Sequence, residues 1–308
     1  MASCIGIDTS NYTTSAALSN DGKILKNVRR LLDVAEGERG LRQSDAVFQH
    51  TVNLPSVISE LGQVSFSAVG VSDKPRDVEG SYMPCFLSGV AVAESISSLN
   101  GVPLYRFSHQ AGHIAAALYS CGREDLHHNK LIAFHVSGGT TEVTVFDRGI
   151  IKLVGGTKDI SAGKAIDRIG VKLGMKFPCG KALESASSDP DAIKVGKLSV
   201  DGTYFNLSGL ENKADELINK GADASTVAAF TLRHVCAVLE KITENVIKEY
   251  GDLPVLYAGG VMSNGYIRRK LTDRFGGMFA SPEFSCDNAS GIARLTELTL
   301  EGVLKYAR

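Results

Sequence analysis

Apolar and polar positions along the chain draw the same figure twice. An apolar run from Ser3 to Ile7 gives way to the polar turn Asp8-Thr9-Ser10-Asn11-Tyr12-Thr13-Thr14, then to a second apolar run from Ala16 to Leu18. This predicts a β-hairpin at the start of a sheet. Leu131 to Val136 leads into Ser137-Gly138-Gly139-Thr140-Thr141, after which Val143, Val145 and Phe146 resume a strand. A repeated strand, small-polar turn and strand is the mark of internal duplication, each half building its own sheet and offering one hairpin tip to a shared cleft.

Between the hairpins the pattern predicts a polar, mobile segment from Glu36 to Ser44, a helix from Val52 to Leu61 and a strand from Ser67 to Val71. A turn follows at Asp73-Lys74-Pro75-Arg76-Asp77, where proline and clustered charge break the periodicity. Leu87 to Leu99 suits a buried helix and Val102 to Tyr105 a short strand, near which the boundary between two lobes is expected. Further on, Asp159 can cap a helix whose buried stripe is Ala162, Ile166, Ile169 and Leu173. The clearest helix runs from Ser225 to Tyr250, with Ala228, Leu232, Val235, Leu239, Ile242 and Val246 at alternating spacings of four and three. Ser225 serves as its N-cap and Gly251 stops it. Val255 to Ala258 then makes a buried strand that enters Gly259-Gly260 and a helix carrying Ile267 and Leu271, an order that suits the approach of a nucleotide.

Composition narrows the class. The chain has 308 residues, 44% hydrophobic and 22% charged, which excludes a disordered or fibrous protein and allows two cores meeting at a cleft. A formal charge of −1 gives no whole-molecule attraction for nucleic acid, so an RNA substrate would need a local basic patch or partner proteins. Six scattered cysteines without a C-x-x-C pair point to reduced thiols. With no apolar leader and no stretch of about 18 apolar residues, a cytoplasmic protein with no membrane association is expected.

Three groups of residues could carry chemistry. His109 and His113 are four apart in a helical stretch capped by Ser108, hence on one face, where they suit either a shared metal ion or two structural histidines. Asp287, at the opening of the terminal helix, suits a third ligand or an N-cap. The tip Ser137-Gly138-Gly139-Thr140 offers N–H groups and hydroxyls to phosphate oxygens, or is an ordinary tight turn. Asp167, flanked by Gly163 and Gly170, suits a ribose or a solvated surface. No glutamate stands within His109 to His113 as a metallopeptidase base would in H-E-x-x-H.

Taken in order, these segments resemble the TsaD family of tRNA threonylcarbamoyl transferases, also called glycoprotease-like. The matching landmarks are Gly6-Ile7-Asp8-Thr9-Ser10, His109-Gln110-Ala111-Gly112-His113, Val136 to Thr141, Ala162 to Arg168, Phe177-Pro178-Cys179-Gly180, Phe205 to Leu210, Gly259 to Asn264 and Cys286-Asp287-Asn288-Ala289. The resemblance implies an α/β, duplicated actin/hexokinase-like fold of the ribonuclease H type. Its first lobe would span 1–105, joined by a C-terminal helix at about 288–308, and its second lobe 106–287 would hold metal and nucleotide. His109, His113 and Asp287 would bind one divalent metal, iron first and zinc or manganese otherwise. Val136, Ser137, Gly138, Gly139, Thr140, Asp167, Gly180 and Asn264 would surround an adenylate, and Asp8, Ser10 and Asn11 would form the catalytic turn. The implied reaction moves threonylcarbamoyl from threonylcarbamoyl-AMP to N6 of adenosine 37 in ANN-decoding tRNAs, with a same-fold partner chain and a small P-loop ATPase assisting. The chain departs from the family pattern at Tyr12-Thr13, where the family has Asp-Glu, at Thr140, where it has His, and at Glu211, where it has Lys. The glycine-proline-glycine loop of the first lobe is also replaced, around Asp73 to Gly80. These departures keep two alternatives open: a carbamoyltransferase acting on another acceptor, and a non-catalytic nucleotide-binding subunit.

Overall fold

The computed structural model describes residues 3–10, 12–34, 41–285 and 288–304. The chain divides into two compact units, one formed by residues 1–129, 147–151 and 283–308, the other by 130–146 and 152–282.

The first unit opens with β1 (Cys4–Asp8), β2 (Thr13–Asn20) and β3 (Lys23–Leu31), followed by α1 (Gln43–Ser59), β4 (Ala68–Lys74), α2 (Phe86–Asn100), β5 (Leu104–Ser108) and α3 (His109–Ser120). Its sheet has the order β3-β2-β1-β4-β5. The first three strands are an antiparallel meander, while β1, β4 and β5 run parallel, with Gly6 opposite Gly70. Ile5, Ile7, Leu18, Val69 and Val71 on the sheet meet Leu54 and Val57 of α1 and Ala93 of α2 in one core.

The second unit comprises β6 (Lys130–Val136), β7 (Thr141–Asp147), β8 (Ile150–Thr157), α4 (Ala162–Lys172), α5 (Gly180–Ala186), β9 (Val200–Asp201), β10 (Tyr204–Phe205), α6 (Ser208–Asn219), α7 (Ala224–Tyr250), β11 (Val255–Ala258), α8 (Gly265–Phe275) and β12 (Met278–Phe279). The sheet order is β12-β11-β6-β7-β8-β10-β9. Read from β8 to β12 it repeats the first unit's order, and β6, β11 and β12 are parallel as β1, β4 and β5 are. The duplicated hairpin of the sequence thus reflects a duplicated sheet. Long α7 supplies Val235, Leu239, Ile242 and Val246 to a core shared with Phe134, Val145 and Tyr257.

The chain then returns to the first unit with α9 (Ser290–Leu300), which packs on β1, β2, β4 and α3. The packing is backbone to backbone. A Cβ on Gly6 would collide with the Ala293 backbone, and one on Gly291 with the Gly112 carbonyl. Arg294 of α9 is buried and pairs with Glu124 at 2.9 Å and with Glu297, whose other carboxylate oxygen accepts the Gly22 N–H at 2.8 Å. No helix among the described residues is long and apolar enough to cross a membrane.

The expected lobe boundary at 105/106 is corrected. Ser108 both ends β5 and caps α3 by accepting the Ala111 N–H at 3.1 Å, so the chain passes from strand to helix within one unit and leaves it only after Asn129. His109 and His113 therefore belong to the first unit, and the nucleotide candidates 136–140, Asp167, Gly180 and Asn264 to the second. Two caps also shift. Ser161 rather than Asp159 caps α4, and Asp223 rather than Ser225 caps α7, accepting the Thr226 N–H at 2.8 Å. Asp159 instead receives the N–H groups of Leu207 and Ser208; burial opposes its ionisation, but these bonds prevail and hold it at about 2. The helix expected from Val52 begins nine residues earlier, at Gln43, and passes through Pro55.

Two outcomes follow for stability. Gly291→Ala should cost about 3 kcal/mol or more, read as a fall in the denaturant midpoint, because backbone on both sides cannot move aside cheaply. Burial pushes the His127 and His234 imidazoles down to about 4. A histidine depressed in the folded state contributes stability that is complete above its ordinary pKa of 6.5 and lost as pH falls toward 4. Thermal midpoints should therefore drop across that window, with a slope about one proton shallower in His234→Leu.

Candidate functional site

The predicted site residues fall into two sets, one in each unit. In the first unit, Asp8 ends β1 and is buried beside the start of α3. Its Oδ1 accepts the Ser10 N–H at 2.9 Å and the Ser72 hydroxyl at 2.8 Å, and its Oδ2 accepts His109 Nδ1–H at 2.7 Å. With the proton on Nδ1, His109 Nε2 keeps its lone pair and faces His113 Nε2 at 2.9 Å. The result is a buried file of carboxylate, imidazole and imidazole. Ser10, also buried, has a hydroxyl with no hydrogen-bond partner among the described residues.

Two Nε2 atoms on one helical face, one ring oriented through Nδ1 by a carboxylate, are a donor set that a first-row divalent ion accepts, and a carboxylate behind a ligating histidine fixes its tautomer and raises its basicity. Asp287, the expected third ligand, and Asn11 of the expected catalytic turn lie outside the described residues. Among the described residues no three His, Cys, Asp or Glu surround one point.

In the second unit the tip between β6 and β7 is closed by Ser137 N–H to Thr140 O at 2.7 Å and Thr140 N–H to Ser137 Oγ at 3.1 Å. The N-terminus of α4 sits against it. Ser161 Oγ donates to Gly138 O at 2.6 Å, Gly163 N–H donates to Ser137 O at 3.1 Å, and a Cβ on Gly163 would lie 2.6 Å from Gly138 Cα. Gly259, at positive φ, packs on the Val136 backbone in the same way. Asp167 accepts the Cys179 N–H at 2.7 Å and so fixes the approach to Gly180; burial raises its carboxyl above the usual range, with that hydrogen bond opposing. Asn264 is engaged as the cap of α8, accepting the Ile267 N–H at 3.0 Å, and Glu184 of α5 accepts the Gly265 N–H at 2.7 Å. Backbone contacts thus join the tip to Gly163 and Val136 to Gly259, while side-chain bonds tie Asp167 to Cys179, next to Gly180, and Glu184 of α5 to Gly265, next to Asn264.

Glycine is tied to the chain's own needs at Gly163 and Gly259, but not at Gly138, Gly139, Gly180 and Gly260. None of these four has positive φ, and a Cβ on any of them would meet nothing within 4 Å. Neither backbone conformation nor internal packing requires glycine there, whereas a ligand lying against the backbone would. Sequence reading missed Ser72, Ser161 and Glu184. Of these only Ser161, a small polar residue directly before a helix, carries a local signal.

The departures also find places. Thr13 is buried in β2 opposite Leu31, and Tyr12 is exposed. Glu211 pairs with Arg168 at 3.2 Å and with Lys172 at 3.0 Å; burial opposes its ionisation, but these two partners hold it below the usual carboxylate range.

A family described as TsaD, tRNA N6-adenosine threonylcarbamoyltransferase, matches residues 25–294. A tRNA N6-adenosine threonylcarbamoyltransferase from Dehalococcoides mccartyi is 29% identical, covering 94% of this chain and 91% of that protein. Among solved structures, full-length HypF in its phosphate- and nucleotide-bound form superposes with a TM-score of 0.63 at 14% identity, over 99% of this chain; the chain spans 56% of its length. A ROK family glucokinase from Streptomyces griseus, in complex with glucose and AMPPNP, superposes at 0.52 with 14% identity, over 96% of this chain and 98% of the other. The fold is the two-lobed α/β fold of the actin and hexokinase group.

Gly138→Ala and Gly180→Ala should each leave the denaturation midpoint within about 0.5 kcal/mol of the parent, since the added methyl enters open space. Both should weaken the binding of AMP or ATP by about tenfold or more in titration calorimetry. Unchanged affinity in both would remove the ligand explanation for these glycines.

Proposed function

The chain belongs to the TsaD family of tRNA N6-adenosine threonylcarbamoyltransferases, and we propose that it transfers threonylcarbamoyl from threonylcarbamoyl-AMP to N6 of adenosine 37 in ANN-decoding tRNAs. The single observation that carries the proposal is the Asp8–His109–His113 file, whose two facing Nε2 atoms are oriented from a buried carboxylate.

In this reading the adenylate lies against the open backbone of Gly138, Gly139 and Gly180. The Val136–Thr140 tip holds phosphate oxygens through the Gly138 and Gly139 N–H groups, those of Ser137 and Thr140 being used to close the tip, while Asp167 faces the ribose and Asn264 shapes the wall by capping α8. N6 attacks the carbamoyl carbon, the bond from that carbon to the AMP phosphate oxygen breaks, and one N6 proton passes to solvent. A divalent ion held by His109, His113 and Asp287, iron first and zinc or manganese otherwise, would polarise the carbamoyl phosphate group. Asp8 holds His109 in the tautomer that turns the Nε2 lone pair toward His113, and Ser10 brings a buried hydroxyl without a hydrogen-bond partner among the described residues. The family resemblance adds Asn11 to this set. A same-fold partner chain rests on the family resemblance, and exposed Phe48 and Val52, one turn apart on α1, offer apolar surface that a partner would cover. The small P-loop ATPase, and a cytoplasmic setting, rest on the family resemblance and the sequence.

The test is a reconstitution with threonylcarbamoyl-AMP, an unmodified ANN-decoding tRNA, each metal in turn and the partner proteins, following modified nucleoside by mass spectrometry and AMP release. His109→Ala and His113→Ala should each lose bound metal and at least about 100-fold in rate. Retention of full metal content and rate by both variants would sink the assignment. A second reading, a paralogue acting on another acceptor or only binding nucleotide, is favoured by Thr13, a buried hydroxyl where the family pattern asks for a carboxylate. Positioned bases contribute about 10²- to 10⁴-fold, so weak activity is expected from the parent chain, restored by Tyr12→Asp with Thr13→Glu. Silence of both forms would favour the second reading.

A further inference from the structure

The whole chain carries a net charge of −1, yet residues 162–181 hold five cations, Lys164, Arg168, Lys172, Lys176 and Lys181, against one carboxylate, Asp167. The first three are four apart on α4, so they line one face of the helix about 6 Å apart along its axis. Lys176 follows in the loop that brings Cys179 back to Asp167 of α4, and Lys181 stands on α5. Next to Lys176, Phe177 is 75% exposed, an aromatic ring largely in water. Pro178 and Cys179 then join it directly to Gly180 of the nucleotide-facing set.

The cations fall into two classes. Lys164, Lys176 and Lys181 are exposed and make no ion pair among the described residues. Arg168 and Lys172 are held by α6: Glu211 takes both, and Asp215 takes Lys172 at 2.8 Å. α6 therefore neutralises the middle of a basic stripe whose ends stay free.

We propose that this stripe, with Phe177, is the face on which the chain binds the anticodon arm of tRNA, and that Glu211 weakens the binding by occupying Arg168 and Lys172. The proposal rests on the transferase reading above and names the surface of that site that meets the RNA. Regularly spaced cations complement successive phosphates, and a solvent-exposed aromatic ring between lysines stacks on an unpaired base whatever its identity. A merely solvated helix face accounts for the charges but not for Phe177. Glu211 stands where the family pattern has lysine, so this chain holds as an internal ion pair what the pattern leaves as added positive charge.

The experiment measures binding of an unmodified ANN-decoding tRNA transcript to the full chain by fluorescence anisotropy between 50 and 200 mM KCl. Lys164→Ala with Lys176→Ala should weaken binding and reduce the slope of log affinity against log salt by about 1.5, at 0.7 to 0.9 for each lost phosphate contact. Phe177→Ala should weaken binding about tenfold with the slope unchanged, because stacking releases no counterions. Glu211→Gln should tighten binding and steepen the slope, although it removes two ion pairs and cannot raise the melting temperature by that route. That gain separates an RNA role from a structural one. Should the transferase assay yield modified tRNA while all these variants bind like the parent, the surface is wrong and the function stands. Absence of tRNA binding by both the parent and Glu211→Gln at 50 mM salt, together with silence in the transferase assay, overturns both. Displacement of tRNA by polyglutamate as effective as by unlabelled tRNA would make this a site for acidic protein and would also overturn the proposal.

Discussion

The seating of α9 against the first sheet is the contact on which the first unit depends. Four glycines allow it: Gly6 and Gly70 lie opposite one another on β1 and β4, Gly112 is on α3 and Gly291 is on α9, and at each a side chain would strike α9 or its neighbour. Removing the Cβ lets backbones approach more closely than ordinary helix-on-sheet packing allows. The last described helix is thereby locked to the first strand, and Arg294 and Glu297 tie the same helix to Glu124 and Gly22. α3 packs on both β5 and α9, and its first residue, His109, thereby comes within 2.7 Å of Asp8 at the end of β1. The Asp8–His109 bond is thus a consequence of packing that begins nearly three hundred residues away in sequence.

Much of this was legible in the sequence, and the reasons for success and failure are physical. α7 could be read because a buried helix of 27 residues repeats its apolar stripe many times; its first residue could not, because Asp223 and Ser225 both suit a cap and only the Asp223 bond to Thr226 decides. β3 escaped because most of its side chains are half or fully exposed and carry no alternation. The start of α1 escaped because its buried face includes His50 alongside Ala46, Leu54 and Val57. The unit boundary was misplaced because β5 passes into α3 through Ser108 without a linker, leaving no change of composition to mark or to exclude a border.

The site divides the same way. His109 and His113 could be paired from a spacing of four, since a helix puts such residues on one face. Nothing local links Asp8 to His109, which are 101 residues apart, and only the sheet order with β1 beside β4 and β4 beside β5 brings them together. The glycines behaved differently. All were visible as glycines, but the distinction between those the fold requires, such as Gly163, and those it does not, such as Gly138, needs coordinates, because it turns on what occupies the space where a Cβ would stand.

The two units then present unlike kinds of pre-organisation. The first fixes side chains, an acid and two imidazoles held by buried hydrogen bonds, which is expensive to build and suits a task needing exact donor positions. The second fixes backbone, a tip and helix ends held by Ser161, Asp167, Asn264 and Glu184, with side chains spent on the scaffold and main-chain surface left open. An acyl-adenylate already carries its activation in the bond between carbonyl and phosphate, so a protein acting on it needs placement and charge control more than a nucleophile of its own. A fold that commits its carboxylates to holding imidazoles and N–H groups in place meets that need. It also explains how Tyr12 and Thr13 can occupy the first turn without disturbing the hydrogen bonds that Asp8 makes behind them.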